Sequence, residues 1–344
     1  MGRPPYMLAY TDENIRKIYN TDNPQFYREV MAEGWGKAIN VDYEPFVEFL
    51  LQPYRGKHVN ISEWGFRYPG DGVRTMGRSG KKIFIFGGST TFGMGVSNKE
   101  TIPAYLEAEF RNAGKQDVTV YNFGTVGHFS TQERVFFERL INQGHVPDIV
   151  VFIDGLNDFA FCKIPDTTSM SIRIKRILSG QSGVTLAQTY ERRSSIIKMI
   201  RYYTKGTYVA KDLPSADCTG EEEQTKGIVQ RLDSNRRMAA GVANAYGIIP
   251  VFVHQPISAY AYDNSRRPVP VREILSTPWK QNRRGYEIFR EMRERGEAFN
   301  ENVLWLEEAT IPENMYIDAV HYSPHFNRHI ARQIYQFLRF RVDG

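Results

Sequence analysis

Five short apolar runs, each continuous rather than alternating, constrain this chain most. They are Lys82–Phe86 (KIFIF), Val118–Asn122 (VTVYN), Ile149–Asp154 (IVVFID), Ile249–His254 (IPVFVH) and Val303–Leu306 (VLWL). A strand that is apolar at every position must be covered on both faces. Between the runs lie stretches with helical spacing. Ile102–Arg111 carries Tyr105, Leu106 and Phe110 on one side, and Glu133–Asn142, Gly227–Tyr246 and Asn327–Phe340 complete the series. Alternation of these lengths predicts an α/β protein: a three-layer α/β/α sandwich around a five-stranded parallel sheet. Right-handed crossovers bring every strand's carboxyl end to one edge, where such sheets hold their ligands.

Two segments stand outside the alternation. Residues 1–78 read as an N-terminal extension, helical or irregular, packed on a domain that spans 79–344. The stretch from about 160 to 225 is longer than one crossover requires and reads as an insertion beside the site. A small helical subdomain without a binding role is the alternative. It carries a basic patch (Arg173, Lys175, Arg176, Arg192, Arg193) and then the acidic turn Glu221–Glu223. The net charge of +5 is spread along the chain and asks for no nucleic-acid partner. Two cysteines, Cys162 and Cys218, supply neither a disulfide framework nor a cysteine zinc site. No apolar run approaches the roughly 18 residues of a membrane span. The first residues lack the apolar core of a secretory signal. The compartment stays open: cytoplasmic if Met1 is the native start, extracytoplasmic if an upstream segment was removed.

Four blocks fall at the carboxyl edge. Gly87-Gly88-Ser89-Thr90 follows the first run, Asn122–Gly127 (NFGTVG) the second and Gly155–Asp158 (GLND) the third, while Asp318–His321 (DAVH) precedes the last helix. Together they offer a hydroxyl, glycine amides, a carboxamide and an Asp/His pair. A serine hydroxyl attacks a carbonyl near neutral pH only when an imidazole takes its proton. That imidazole is held in one tautomer by a carboxylate on its other nitrogen. Ser89, His321 and Asp318 are the candidates for these roles. The amides of Ser89 and Gly127 and the side chain of Asn157 are the candidate donors to a developing oxyanion.

Each block also has an ordinary reading. Ser89 could cap a helix, and Asn157 could serve a turn. GGST could cradle a phosphate, but it lacks the Gly-Lys-Ser/Thr ending of such loops. His321, His325 and His329 have ligand-like spacing; Pro324 interrupts a helix through His321, and no metal or other cofactor is expected. His128 and His254 are candidate substrate contacts, with a hydrogen-bonded core position as the alternative for His254. Asp154 and Asp158 are expected to anchor local backbone. Tyr260, Tyr262 and Trp279 lie in a polar, proline-rich stretch and read as loop packing rather than a sugar platform.

In order and placement, the four blocks resemble those of the SGNH hydrolases, the superfamily of GDSL-type esterases and lipases, across about residues 80–340. The block around Ser89 reads Gly-Gly-Ser-Thr where the best-known members have Gly-Asp-Ser, so Gly88 stands in the aspartate's place. The resemblance implies a flavodoxin-like α/β/α fold, no metal, and ester hydrolysis. It implies Ser89 as nucleophile, Asp318 and His321 as its partners, and Gly127 and Asn157 as oxyanion donors. The expected function is a serine esterase acting on an O-acyl, foremost an O-acetyl, group of a carbohydrate. The alternatives are a carbohydrate O-acyltransferase with the same triad and a non-catalytic carbohydrate-binding or scaffold protein on the same fold. A phospholipid esterase would need an apolar lid, and the polar 160–225 segment does not suggest one.

Overall fold

The structure, a computed structural model, describes residues 10–68, 75–77, 80–159, 222–263, 265 and 277–342. The chain opens with α1 (Asp12–Tyr19) and α2 (Pro24–Ala32), followed by the strands β1 (Val41–Glu44), β2 (Glu48–Leu51), β3 (Tyr54–Arg55) and β4 (Asn60–Ile61). Both helices start on a side-chain cap: Thr11 Oγ1 accepts from Asn14 N and Asn23 Oδ1 from Phe26 N. β1 pairs with β2 and β3 with β4, both antiparallel. The extension is therefore ordered structure over residues 10–68. Its own apolar cluster, with Ile15, Ile18, Val30 and Met31 at its centre, takes in Val96 and Ile317 from far along the chain.

The alternating part follows: β5 (Lys82–Gly87), α3 (Ser89–Phe92), α4 (Ile102–Asn112), β6 (Thr119–Asn122), α5 (Ser130–Asn142), β7 (Ile149–Asp154), α6 (Glu222–Ala245), β8 (Ile249–His254), α7 (Thr277–Glu294), β9 (Val303–Trp305) and α8 (Pro324–Leu338). The sheet is parallel throughout, in the order β6-β5-β7-β8-β9. This is the 2-1-3-4-5 order of the flavodoxin-like sheet. All five strand runs lie where the sequence places them, within one residue at each end.

Period-two alternation sorts the sheet's side chains by shape. Ile83, Ile85, Val120, Val151 and Val253 face α4 and α8. Phe84, Phe86, Tyr121, Phe152 and Phe252 face α5 and α6. Register sets Phe86 beside Phe152 and Phe152 beside Phe252. With Phe123 they form a stacked row, centroids 5.2, 5.4 and 5.6 Å apart. Ala239, Ala240 and Ala243 let α6 lie close against that row.

Two differences from the sequence reading stand out. α6 begins at Glu222, five residues earlier than its apolar spacing suggests, and α7 has no counterpart in the reading. α7 is dominated by charge: Arg283–Glu287, Arg284–Glu291 and Arg290–Glu294 pair along it, while Tyr286, Ile288 and Phe289 are buried in an apolar cluster. Cys162, Cys218 and the basic patch lie outside the described residues, as does nearly all of the 160–225 insertion. Among the described residues no helix is long and apolar enough to cross a membrane.

Candidate active site

β5 ends at Gly87, Gly88 caps the single turn of α3, and Ser89 is its first residue. Ser89 is therefore not the cap, and its N–H, in the first turn, has no intrahelical partner. At the other end of the chain, Asp318–His321 forms a tight turn just before α8. Asp318 Oδ1 accepts the backbone N–H groups of Val320 and His321, each at 2.8 Å. Its Oδ2 lies 2.6 Å from His321 Nδ1, and His321 Nε2 lies 2.9 Å from Ser89 Oγ. Carboxylate, imidazole and hydroxyl thus form one unbroken chain across 232 residues of sequence. Burial alone would raise the Asp318 carboxyl, but the adjacent His321 and the two backbone N–H bonds outweigh it and leave its pKa below the ordinary value. The His321 side chain is 12% exposed and that of Asp318 26%, so the line of groups reaches the surface.

Asn157 opens the short 3-10 turn after β7. Its Nδ2 donates to the His128 carbonyl at 2.6 Å, which leaves the second amide hydrogen uncommitted by that bond. A Cβ built on Gly88 would sit 2.3 Å from this Nδ2. The amide therefore occupies the space a side chain at 88 would fill, directly beside Ser89. This close approach is a physical reason for glycine at position 88. Gly127 lies half-buried on the neighbouring loop with a φ of +86°, a conformation that favours glycine. On that loop Gly124 presses so near α3 that a Cβ would meet Phe92 N at 2.2 Å.

The two histidines expected at the substrate are both sealed from solvent. His128 is fully buried: Nε2 bonds the Phe49 carbonyl at 2.9 Å and the ring lies edge-on to Phe49. Burial brings its pKa down to about 4 and keeps the ring neutral. His254, 1% exposed, turns inward onto Tyr286, Phe289 and Trp305, with Nδ1 3.1 Å from the buried Arg236. Burial, then the Arg236 and Arg293 charges, push its pKa well below the imidazole range. His254 shares a sheet face with Phe252, so its ring belongs to the layer of α6 and α7 rather than to the open edge. Tyr260 packs near Tyr286 and Tyr262 against Tyr316, while the Trp279 side chain lies outside the description.

Sequence reasoning missed a buried carboxyl group beneath this site. Asp158 Oδ1 accepts from Ser130 Oγ at 2.5 Å, and Asn235 Nδ2 donates to the same hydroxyl. Asp154, expected to anchor local backbone, instead faces Glu133 of α5. Burial, and then the facing carboxylate, hold Glu133 protonated far above its ordinary pKa; burial also raises Asp154. Protonated Glu133 then donates to Asp154, which is how two acids share one dry site. Asn157, Gly88 and Gln255 line the small cavity beside this pair. Nothing in the spacing of Glu133 on an amphipathic helix distinguishes it from a surface acid.

Solved structures similar to this chain include esterases and lipolytic proteins. The psychrotrophic esterase EstA of Pseudoalteromonas sp. superposes with a TM-score of 0.41 at 13% identity, over 77% of this chain and 100% of that one. The acetylxylan esterase Axe2 of Geobacillus stearothermophilus gives 0.40 at 14% identity, over 76% and 94%. A member of the lipolytic protein G-D-S-L family from Veillonella parvula gives 0.40 at 11%, over 74% and 97%. No family model and no curated protein sequence matches the chain.

Proposed function

We propose that this protein is an SGNH-type serine esterase that hydrolyses O-acyl, foremost O-acetyl, esters on a carbohydrate. The observation that carries the reading is the Ser89–His321–Asp318 chain, with contacts of 2.9 and 2.6 Å. Ser89 Oγ attacks the ester carbonyl as His321 Nε2 takes its proton. Asp318 holds the ring with Nδ1–H toward itself and stabilises the imidazolium. The N–H groups of Ser89 and Gly127 and the free Asn157 amide hydrogen receive the oxyanion. His321 returns its proton to the leaving alkoxide, and water, activated by the same imidazole, frees the acid and regenerates Ser89. The acetyl group and the sugar come from the resemblance of the four sequence blocks to the superfamily.

Turnover on p-nitrophenyl esters of increasing chain length, followed by acetate release from acetylated xylo-oligosaccharides, tests both parts. The acetyl ester should be the fastest of the series. Ser89→Ala and His321→Ala should each lower kcat by about 10⁶-fold. Retained turnover in Ser89→Ala contradicts the mechanism. Capture of most of the acyl group by added oligosaccharide, at the expense of hydrolysis, replaces hydrolase by acyltransferase.

A further inference from the structure

Arg67 is among the largest fully buried side chains of the molecule, 1% exposed. Its acceptors are all neutral. Nη1 donates to the carbonyls of Phe92 at 2.9 Å and Gly93 at 2.7 Å, Nη2 to those of Val96 at 2.7 Å and His58 at 3.4 Å, and Nε to Asn98 Oδ1 at 3.0 Å. Burial lowers the guanidinium pKa to about 9, while the Glu100 and Glu33 carboxylates favour the charged form and the neutral acceptors replace its lost hydration. Phe92 and Gly93 are the last residue and the cap of the turn that begins at Ser89. The N–H groups of Gly93 and Met94 both return to the Ser89 carbonyl, at 3.0 and 3.1 Å. Arg67 thus grips the far end of the turn whose near end is the proposed nucleophile.

The grip is anchored to the sheet. Arg67 N donates to the Asn122 carbonyl at 2.8 Å at the end of β6, and Asn122 Nδ2 donates to the Thr91 carbonyl at 3.1 Å. The same N-terminal segment touches the other two parts of the site. The Phe49 carbonyl fixes the His128 ring, next to Gly127 and to the carbonyl that holds Asn157. Tyr10 Oη donates to the Ile317 carbonyl at 3.2 Å, one residue before Asp318.

We propose that Arg67 is a positioning residue for Ser89, and that through it residues 10–68 are a working part of the active site rather than an appended layer. The inference rests on the reading of Ser89 as nucleophile. Its role is to hold the turn so that Oγ stays in line with His321 Nε2, where a displacement of about 1 Å costs about 10²-fold in rate.

The test measures, on the full chain, kcat and KM for p-nitrophenyl acetate and the rate at which a fluorophosphonate labels Ser89. Arg67→Met should lower kcat and labelling rate together by about 10- to 100-fold, with KM nearly unchanged. Arg67→Lys, which can still reach some of the carbonyls, should recover part of the loss. Leu338→Ala, a core truncation at the end of α8, serves as the control and should lower melting temperature while leaving kcat per folded molecule intact. If the Arg67 variants do not fold, Asn98→Ala removes one acceptor of the same guanidinium and should lower kcat about 3- to 10-fold by partial release of the turn. Folded Arg67 variants, or a folded Asn98→Ala, with wild-type kcat and labelling rate overturn the inference, as does a change confined to KM. Labelling and turnover that persist in Ser89→Ala instead overturn the reading of Ser89 itself.

Discussion

Gly88→Ala is the substitution that most sharply separates the cost to folding from the cost to chemistry. The backbone at 88, φ −82° and ψ −153°, is extended and open to any residue. Only space opposes the change. The new methyl would lie 2.3 Å from Asn157 Nδ2 and 3.2 Å from the His128 carbonyl oxygen, and ordinary contact begins near 3.4 Å. The amide must therefore retreat by about 1 Å, and its 2.6 Å bond to His128 cannot survive. A lost neutral hydrogen bond costs about 1 kcal/mol of stability, a shift of about 2–4 °C in melting temperature for a large domain. A misplaced oxyanion donor costs about 10²–10³ in kcat, or about 3–4 kcal/mol. Activity should therefore fall much further than stability. Steady-state turnover of p-nitrophenyl acetate and thermal melts on Gly88→Ala, Asn157→Ala and the double variant provide the assay. The double variant should be no worse than Asn157→Ala alone, because both changes remove one interaction. Gly88→Asp, which sets a larger side chain against the same amide, should fail in the same way. Wild-type kcat in Gly88→Ala, or losses that simply add in the double variant, would refute this account of Asn157.

Buried ionisable groups give two further expectations. His128 is buried with a pKa of about 4, whereas in the unfolded chain it titrates near 6.5, so between those values the unfolded state binds the extra proton. Stability should fall as pH drops from about 6.5 to 4, by up to ~3 kcal/mol from this residue; urea midpoints for His128→Phe should show a shallower acid slope than wild type, and an unchanged slope would exclude His128 as a source. Glu133 has the opposite sign: its raised pKa makes the folded state hold a proton that the unfolded state releases, so stability declines as pH rises above the ordinary carboxylate range. Glu133→Gln keeps a donor toward Asp154 without that proton and should be neutral or stabilising at pH 8. Glu133→Ala should lose about 2–3 kcal/mol by leaving buried Asp154 unpaired, again read from urea midpoints.

The central sheet was legible because its strands are covered on both faces, so IVVFID and IPVFVH need no partner to be recognised. That Ser89, His321 and Asp318 lie together, with Asn157 beside Gly88, was foreseeable because a parallel sheet gathers its strand ends, whatever the loops between them do. Other parts left no local trace. The hairpin of β1 and β2 places Tyr43 of β1 and Phe46 of its turn in solvent, which inverts the usual meaning of aromatic residues in such a stretch. Arg67 sits in an irregular stretch where one arginine looks like any other until Phe92, Gly93 and Val96 fold around it. His254 shows what position leaves open: the strand end locates the backbone, while the pleat decides whether the ring meets substrate or Arg236. Asp154 and Glu133 become a pair only when α5 lies on the sheet.

Intact-mass analysis of the full chain after exposure to a fluorophosphonate tests the central claim most directly. One adduct per chain, mapped to Ser89, absent from Ser89→Ala and slow to form in His321→Ala, is the expected result. An unmodified wild-type chain, or an adduct that persists in Ser89→Ala, would contradict it.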